Sequence, residues 1–228
     1  MKLMRNCLAL GVALAISGVT TASAFTTLEP AQVTGLGPWN TSPVFTIGET
    51  INGYTPPGIP DGMGAFERND KVLIVSNHEL RSTQGYAYKL ANGTELIGAR
   101  VSYLTFEKQN RELEKAGHAY DTIYNRAGDI VDEASDLESS GLHRLCSAGS
   151  FISGQAGFVD DVFLTGEETY GGTEFALDVA NGELWALPWL GRAAWESVAA
   201  LEIGGINKTH VAILVGDDRG DAPLLLYV

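Results

Sequence analysis

A chain of 228 residues with 45% hydrophobic residues and 27 glycines is long enough for one domain with a buried core, and it suits a turn-rich β protein better than a disordered one. The formal charge of −13, with 15 Lys and Arg against 28 Asp and Glu, excludes a nucleic-acid partner, because a phosphate backbone needs clustered basic side chains and none occur. Acidity on this scale serves solubility, and it leaves cation binding open as a use.

The first element, residues 1–24, reads as a secretory signal peptide. Lys2 and Arg5 open it, residues 8–16 form a short apolar run, and Ala22-Ser23-Ala24 offers small residues for cleavage before Phe25. The run falls short of the roughly 20 residues that span a bilayer, so no membrane contact is expected after cleavage. The mature chain is expected to be periplasmic or secreted. No Arg-Arg pair precedes the run, which points to export of the unfolded chain and to any metal being acquired afterwards. Residues 25–60 follow as a Pro/Gly-rich arm, in which Pro38, Pro43, Pro56, Pro57 and Pro60 suit an extended ordered loop that delivers the chain to Asp61.

Residues 61–228 are expected to form one all-β domain. Short apolar segments bounded by turn residues predict strands at 72–75, 101–106, 161–164, 173–178, 183–187, 211–215 and 224–228. Helix is expected to be scarce: residues 107–117 are charged without an apolar stripe, and residues 127–138 have room for a turn or two. The best hairpin signal is Asn181-Gly182, between the apolar segments 175–180 and 183–187, where Asn-Gly supplies the positive φ angles of a tight turn. Such pairs recur in propeller blades, and a sandwich is the alternative, because no internal repeat fixes a period. Residues 224–228 are an apolar strand with no polar tail. They suit a last strand closing a sheet, or the front part of a longer protein whose fold continues.

Four constellations join a strand to groups that can carry chemistry. Asp61-Gly62-Met63-Gly64 precedes an apolar segment that ends in Asn77-His78-Glu79. Cys146-Ser147-Ala148-Gly149 precedes Leu164-Thr165-Gly166-Glu167-Glu168. Arg192-Ala193-Ala194-Trp195-Glu196 is the third, and Gly216-Asp217-Asp218 after five apolar residues is the fourth. Each alone has an ordinary reading, since Asp, Asn and Gly form turns and a lone His is most often a satisfied core residue. Together they suggest acids gathered at one rim. Adjacent carboxylates such as Glu167 and Glu168 point in opposite directions, so that one can face a metal. Hard oxygen donors suit calcium or magnesium, and a thiolate would add affinity for a softer ion such as iron. Cys146 is the one thiol left once Cys7 departs with the signal, so no intrachain disulfide is available, and it is either a small buried hydrophobe or a metal ligand. Asp160-Asp161 is expected in a turn. There is no Gly-x-Ser-x-Gly elbow, no His-Glu-x-x-His helix and no phosphate-cradling loop ending in Lys-Ser or Lys-Thr.

Taken in order, Asp61-Gly-Met-Gly-Ala-Phe66 with Val-Ser-Asn-His-Glu79, Cys146-Ser-Ala-Gly149 before Leu164-Thr-Gly-Glu-Glu168, Gly191-Arg-Ala-Ala-Trp-Glu196, and Val215-Gly-Asp-Asp-Arg219 before Leu226-Tyr-Val228 resemble the N-terminal part of PhoX-type alkaline phosphatases. The resemblance implies a β-propeller, incomplete over this length, whose central site holds calcium and iron. On that resemblance Cys146 is an iron ligand, and Glu168 and Glu196 are carboxylate ligands. Asp61, His78, Glu79, Glu167, Asp217 and Asp218 are further candidates. The implied activity is hydrolysis of small phosphate monoesters by a metal-bound oxo or hydroxide, with no protein nucleophile. The alternative is a calcium-binding propeller module, or an inactive relative, that binds metal without turnover.

Overall fold

The computed structural model describes residues 27–203 and 210–228, and the segment read as a signal peptide lies outside the described residues. Among them the chain is all-β, with two 3₁₀ turns at Ala134–Asp136 and Pro188–Leu190 and no α-helix. Residues 27–59 run as an arm whose one regular contact is a bridge between Ile51 and Tyr54. The strands are β1 (Pro60–Arg68), β2 (Lys71–His78), β3 (Tyr88–Lys89), β4 (Glu95–Leu96), β5 (Arg100–Glu107), β6 (Leu113–His118), β7 (Thr122–Tyr124), β8 (Leu145–Phe151), β9 (Val162–Gly172), β10 (Glu174–Asp178), β11 (Glu183–Ala186), β12 (Ala193–Leu201), β13 (Ala212–Asp217) and β14 (Leu225–Tyr227).

They fall into three antiparallel meanders. The first is β1-β2-β5-β6, interrupted by the small β3-β4 hairpin. The second is β8-β9-β10-β11, extended by β7, which lies parallel to β11. The third is β12-β13-β14. The long β9 joins the last two: its first half is shared by β8 and β10, and its second half reaches Ala193 and Ala194 of β12. The first strands of the meanders pack side by side in the order β1, β8, β12. The described strands close no ring.

Pleating sends alternate side chains to opposite faces, and the buried set of each meander meets that of the next. Phe66, Val75, Val101, Leu145, Phe163, Leu177 and Leu184 form one core cluster, which joins the first two meanders. Phe151, Leu164, Trp195, Ile213 and Val215 form another, which joins the second to the third. On the first sheet a third cluster of Leu104, Leu113 and Ala116 is covered by Phe45, Ile51 and Tyr54 of the arm, so the Pro-rich segment is held by apolar packing. Burying each of the larger side chains contributes about 1.5–3 kcal/mol.

Each of the seven predicted strand segments overlaps a strand, five of them reaching a residue outside it, whereas β1, β3, β4, β6, β7, β8 and β12 were not expected as strands. β1 and β8 are rich in glycine and small residues. In β6, Lys115 faces solvent while Leu113 and Ala116 are buried, a half-buried strand too short for its period to show. Within residues 127–138 only Ala134–Asp136 winds, as one 3₁₀ turn. The Asn181-Gly182 turn is also corrected. Four residues separate the paired Asp178 and Glu183, Gly182 alone has positive φ, at 68°, and the Asp178 carboxylate accepts the N–H groups of Ala180 and Asn181.

Candidate metal centre

Gly62 sets the distance between β1 and β8. A Cβ there would lie 2.5 Å from the Ala148 nitrogen and 2.6 Å from the Cys146 carbonyl oxygen, so only glycine lets the strands meet this closely. Each first strand then carries one extra residue relative to its partner: between Pro60 and Met63 in β1, between Leu145 and Ala148 in β8, and between Trp195 and Val198 in β12. A β-bulge re-aims the side chains it contains. The residues inside the three bulges include Asp61, Cys146 and Glu196.

These three converge. Cys146 Sγ donates to Asp61 Oδ2 at 3.5 Å and stands 3.9 Å from Glu196 Oε2. Two triplets, Asp61 with Glu79 and Cys146, and Cys146 with Glu168 and Glu196, each offer three donor atoms within 4.8 Å of one another. A cation bonded to oxygen at about 2.4 Å has opposite ligands about 4.8 Å apart, so the spacing fits one. Carboxylates suit calcium, and a thiolate among them suits iron.

Burial pushes the Cys146 thiol far up, and hydrogen bonding to Glu168 and the charges of Asp61 and Glu196 push it further. Burial also raises Glu168. A thiol raised in this way becomes a thiolate ligand only where a bound cation displaces its proton. Arg144 meanwhile holds two of the carboxylates: its Nη2 lies 2.7 Å from Glu79 Oε1 and 2.8 Å from Glu168 Oε2.

The other candidates divide. Asp218 stands beside Glu168, which it helps to raise, and belongs to the cluster's edge. Asp217 turns away: it accepts the Ala194 N–H at 3.0 Å and Arg219 Nε at 2.8 Å, and that guanidinium holds its carboxyl low. Glu167 takes the opposite face of β9 from Glu168, accepting the N–H groups of His143 and Thr173, and burial raises it to about 7. His78 is buried elsewhere, between the Gly58 carbonyl at 3.1 Å and Ser102 Oγ at 2.7 Å, and burial lowers it to about 4. It is a structural imidazole. Asp161 lies in the loop before β9, as expected of a turn residue, and pairs with Arg68 at 2.7 Å.

Three residues take roles that the sequence reading did not assign. Asn77, in the motif that ends the apolar segment, sits in β2 and donates to the Cys146 carbonyl at 2.6 Å and to Thr165 Oγ1 at 2.8 Å, pinning the β8 bulge. Ser147 Oγ donates to Glu196 Oε1 at 2.9 Å. Arg144 precedes Cys146 by two positions and adopts a positive φ of 49°, which turns its side chain toward the acids. With Ile59, Glu79, Arg81 and Gln84 it lines an open cleft of about 520 Å³ beside them. Comparison with protein families, with curated proteins and with solved structures finds no match.

Proposed function

We propose that this chain is an exported, PhoX-like phosphoric monoester hydrolase that uses calcium and iron. The observation that carries the reading is the convergence of Asp61, Glu79, Cys146, Glu168 and Glu196, from three separated motifs, on donor spacings that fit cations. A β-propeller is the proposed frame. Three successive antiparallel meanders, each entered through a bulged strand that lies beside the next, support it.

In this site Cys146, Glu168 and Glu196 would hold iron, and Asp61 and Glu79 would hold calcium. The bound ions supply Lewis acidity toward the phosphate oxygens and an activated nucleophile. Ser147 orients Glu196 through its hydrogen bond, and Asn77 fixes the backbone that carries Cys146. Arg81 and Arg144 border the cleft, where a planar guanidinium matches two oxygens of a phosphate monoester at once. Small phosphate esters fit a cleft of this size, and the acidic chain repels nucleic acid.

A second reading, a calcium-binding propeller module or inactive relative, draws on Arg144: its guanidinium already offsets Glu79 and Glu168, so the acids have a counter-charge without an ion. Elemental analysis of the purified protein beside Cys146→Ala and Glu168→Ala, with turnover of a chromogenic phosphate ester on the same samples, separates the two. Metal and turnover lost together in both variants support the hydrolase. Metal bound without turnover in the wild type selects the module, and wild-type protein free of iron and calcium after incubation with both defeats each reading.

A further inference from the structure

We propose that Glu174 is a base-sensitive latch between the second and third meanders: it keeps its proton while β9 and β12 are together, and its ionisation parts them. Glu174 opens β10 and is 1% exposed. Both of its carboxyl oxygens are buried, and neither has a hydrogen-bond partner. It lies opposite Gly166 of β9, where a Cβ would stand 2.2 Å from Glu174 Oε2 and 2.2 Å from the Trp195 Cβ of β12. The carboxyl therefore occupies room that the missing side chain leaves between the two strands. Trp195 is completely buried and belongs to the core cluster that joins these meanders.

Among the described residues nothing around the carboxyl compensates a negative charge. β9 presents Gly166 to it, and β12 presents Trp195. Glu167 and Glu196, next to these in sequence, are turned to the N–H groups of His143 and Thr173 and to the Ser147 hydroxyl. From β14, Tyr227 is within electrostatic range, but its hydroxyl donates to the Leu190 carbonyl at 2.6 Å. Burial, then Asp217, then Glu174 hold that phenol protonated, and Asp217 is itself paired with Arg219. A core does not hold an ionised carboxylate that has neither a donor nor a cation, so the proton stays, and burial alone raises the group.

An aliphatic side chain would fill this position without the cost of desolvating a carboxyl. What the acid adds is a response to pH. Ionisation requires water at the carboxyl, and the seam that admits it is thin: β9 and β12 share two registered pairs, Ala193 with Gly172 and Ala194 with Glu168, with a register shift between them. β9 shares five with β10 and five with β8. Parting the thin seam carries Glu196 away from Ser147 and Cys146.

Below the ordinary glutamate value of 4.5 both folded and unfolded chains carry the proton, and the contribution of Glu174 is complete. Above it only the unfolded chain loses the proton, so the folded-to-unfolded ratio falls about tenfold per pH unit until the folded carboxyl ionises. The test compares the whole chain with Glu174→Leu and Glu174→Gln from pH 5 to pH 9, in urea unfolding and in deuterium exchange. The wild-type unfolding constant, relative to that of Glu174→Leu, is expected to rise about tenfold per pH unit over the lower part of that range. Exchange across residues 193–201, taken as the same ratio, should rise with it, while residues 71–78 of the first meander stay level. A protonated-carboxyl infrared band, present in the folded wild type at pH 7 and missing from Glu174→Gln, reports the proton directly. If Glu174→Leu does not fold, Glu174→Gln replaces it in each ratio. A ratio independent of pH without that band would show a carboxylate ionised in place and overturn the latch. So would exchange that rises equally in residues 71–78 and 193–201, because the opening would then be global and not along the seam.

Discussion

Two clusters in this molecule are electrostatic opposites. Around Cys146, four carboxylates and a thiol gather on half-buried bulged strands, with one arginine as internal counter-charge. Around Arg100, one guanidinium is sealed among aromatic rings with no carboxylate on it. β2 and the residue after it serve both. Asn77 reaches to the Cys146 backbone, His78 turns to Ser102 in the aromatic cluster, and Glu79 returns to Arg144. Three consecutive residues are dealt to alternate faces, as pleating requires, so a motif that reads as one site is divided between two.

Substitutions should treat the clusters differently. The largest effect is expected from Gly62→Val, which forces β1 off β8: a loss of about 3 kcal/mol in urea unfolding together with loss of cation binding. Unchanged unfolding would mean that the close approach is dispensable. Cys146→Ala should weaken iron binding about 100-fold in calorimetric titration while leaving the metal-free protein as stable as the wild type, because the thiol makes no apolar contribution that alanine lacks beyond one atom. Asn77→Ala leaves the Cys146 carbonyl and Thr165 hydroxyl without their donor and should cost about 2 kcal/mol, with the aromatic cluster undisturbed in near-ultraviolet circular dichroism.

A further effect, spread over a pH range, is a slope in stability. His118 is lowered from 6.5 to about 4, first by burial and then by Arg100. Above pH 6.5 both folded and unfolded states are neutral there and its contribution is complete. As pH falls from 6.5 toward 4 only the unfolded state gains the proton, so stability drops by up to about 1.4 kcal/mol per unit and levels off below 4. His118→Phe keeps the ring stack and should remove that part of the slope between pH 7 and pH 5. Glu167 acts in the other sense: raised to about 7, it adds stability that is full below its unfolded value near 4.5 and is lost as pH rises through 7.

The strands that repeat β-branched and aliphatic residues were legible in the sequence, and so was a set of candidate ligands, within which Asp61, Glu79, Cys146, Glu168 and Glu196 come together while His78, Glu167 and Asp217 do not. Donor type marks a candidate, and the pleat decides which candidates meet. The bulged strands β1, β8 and β12 were not legible, since an extra residue breaks the period-two signal at the positions that matter most, and the small residues that permit close approach look like turn formers. The Arg100 cluster was missed for another reason. Nothing local distinguishes a buried arginine from a surface one, and its partners come from the arm, the loop after β2 and two strands.

Arg144 bears on the order of events in the life of the chain. A cluster of acids that relied on metal alone would repel itself while the strands assembled, and folding would have to wait for the ion. With a guanidinium tethered two residues before the thiol, the repulsion is relieved during assembly, and under the proposed function a cation would enter the finished pocket later by exchange, displacing a side chain. Loading would then be a competition whose rate and selectivity depend on how readily that arginine lets go of Glu79 and Glu168.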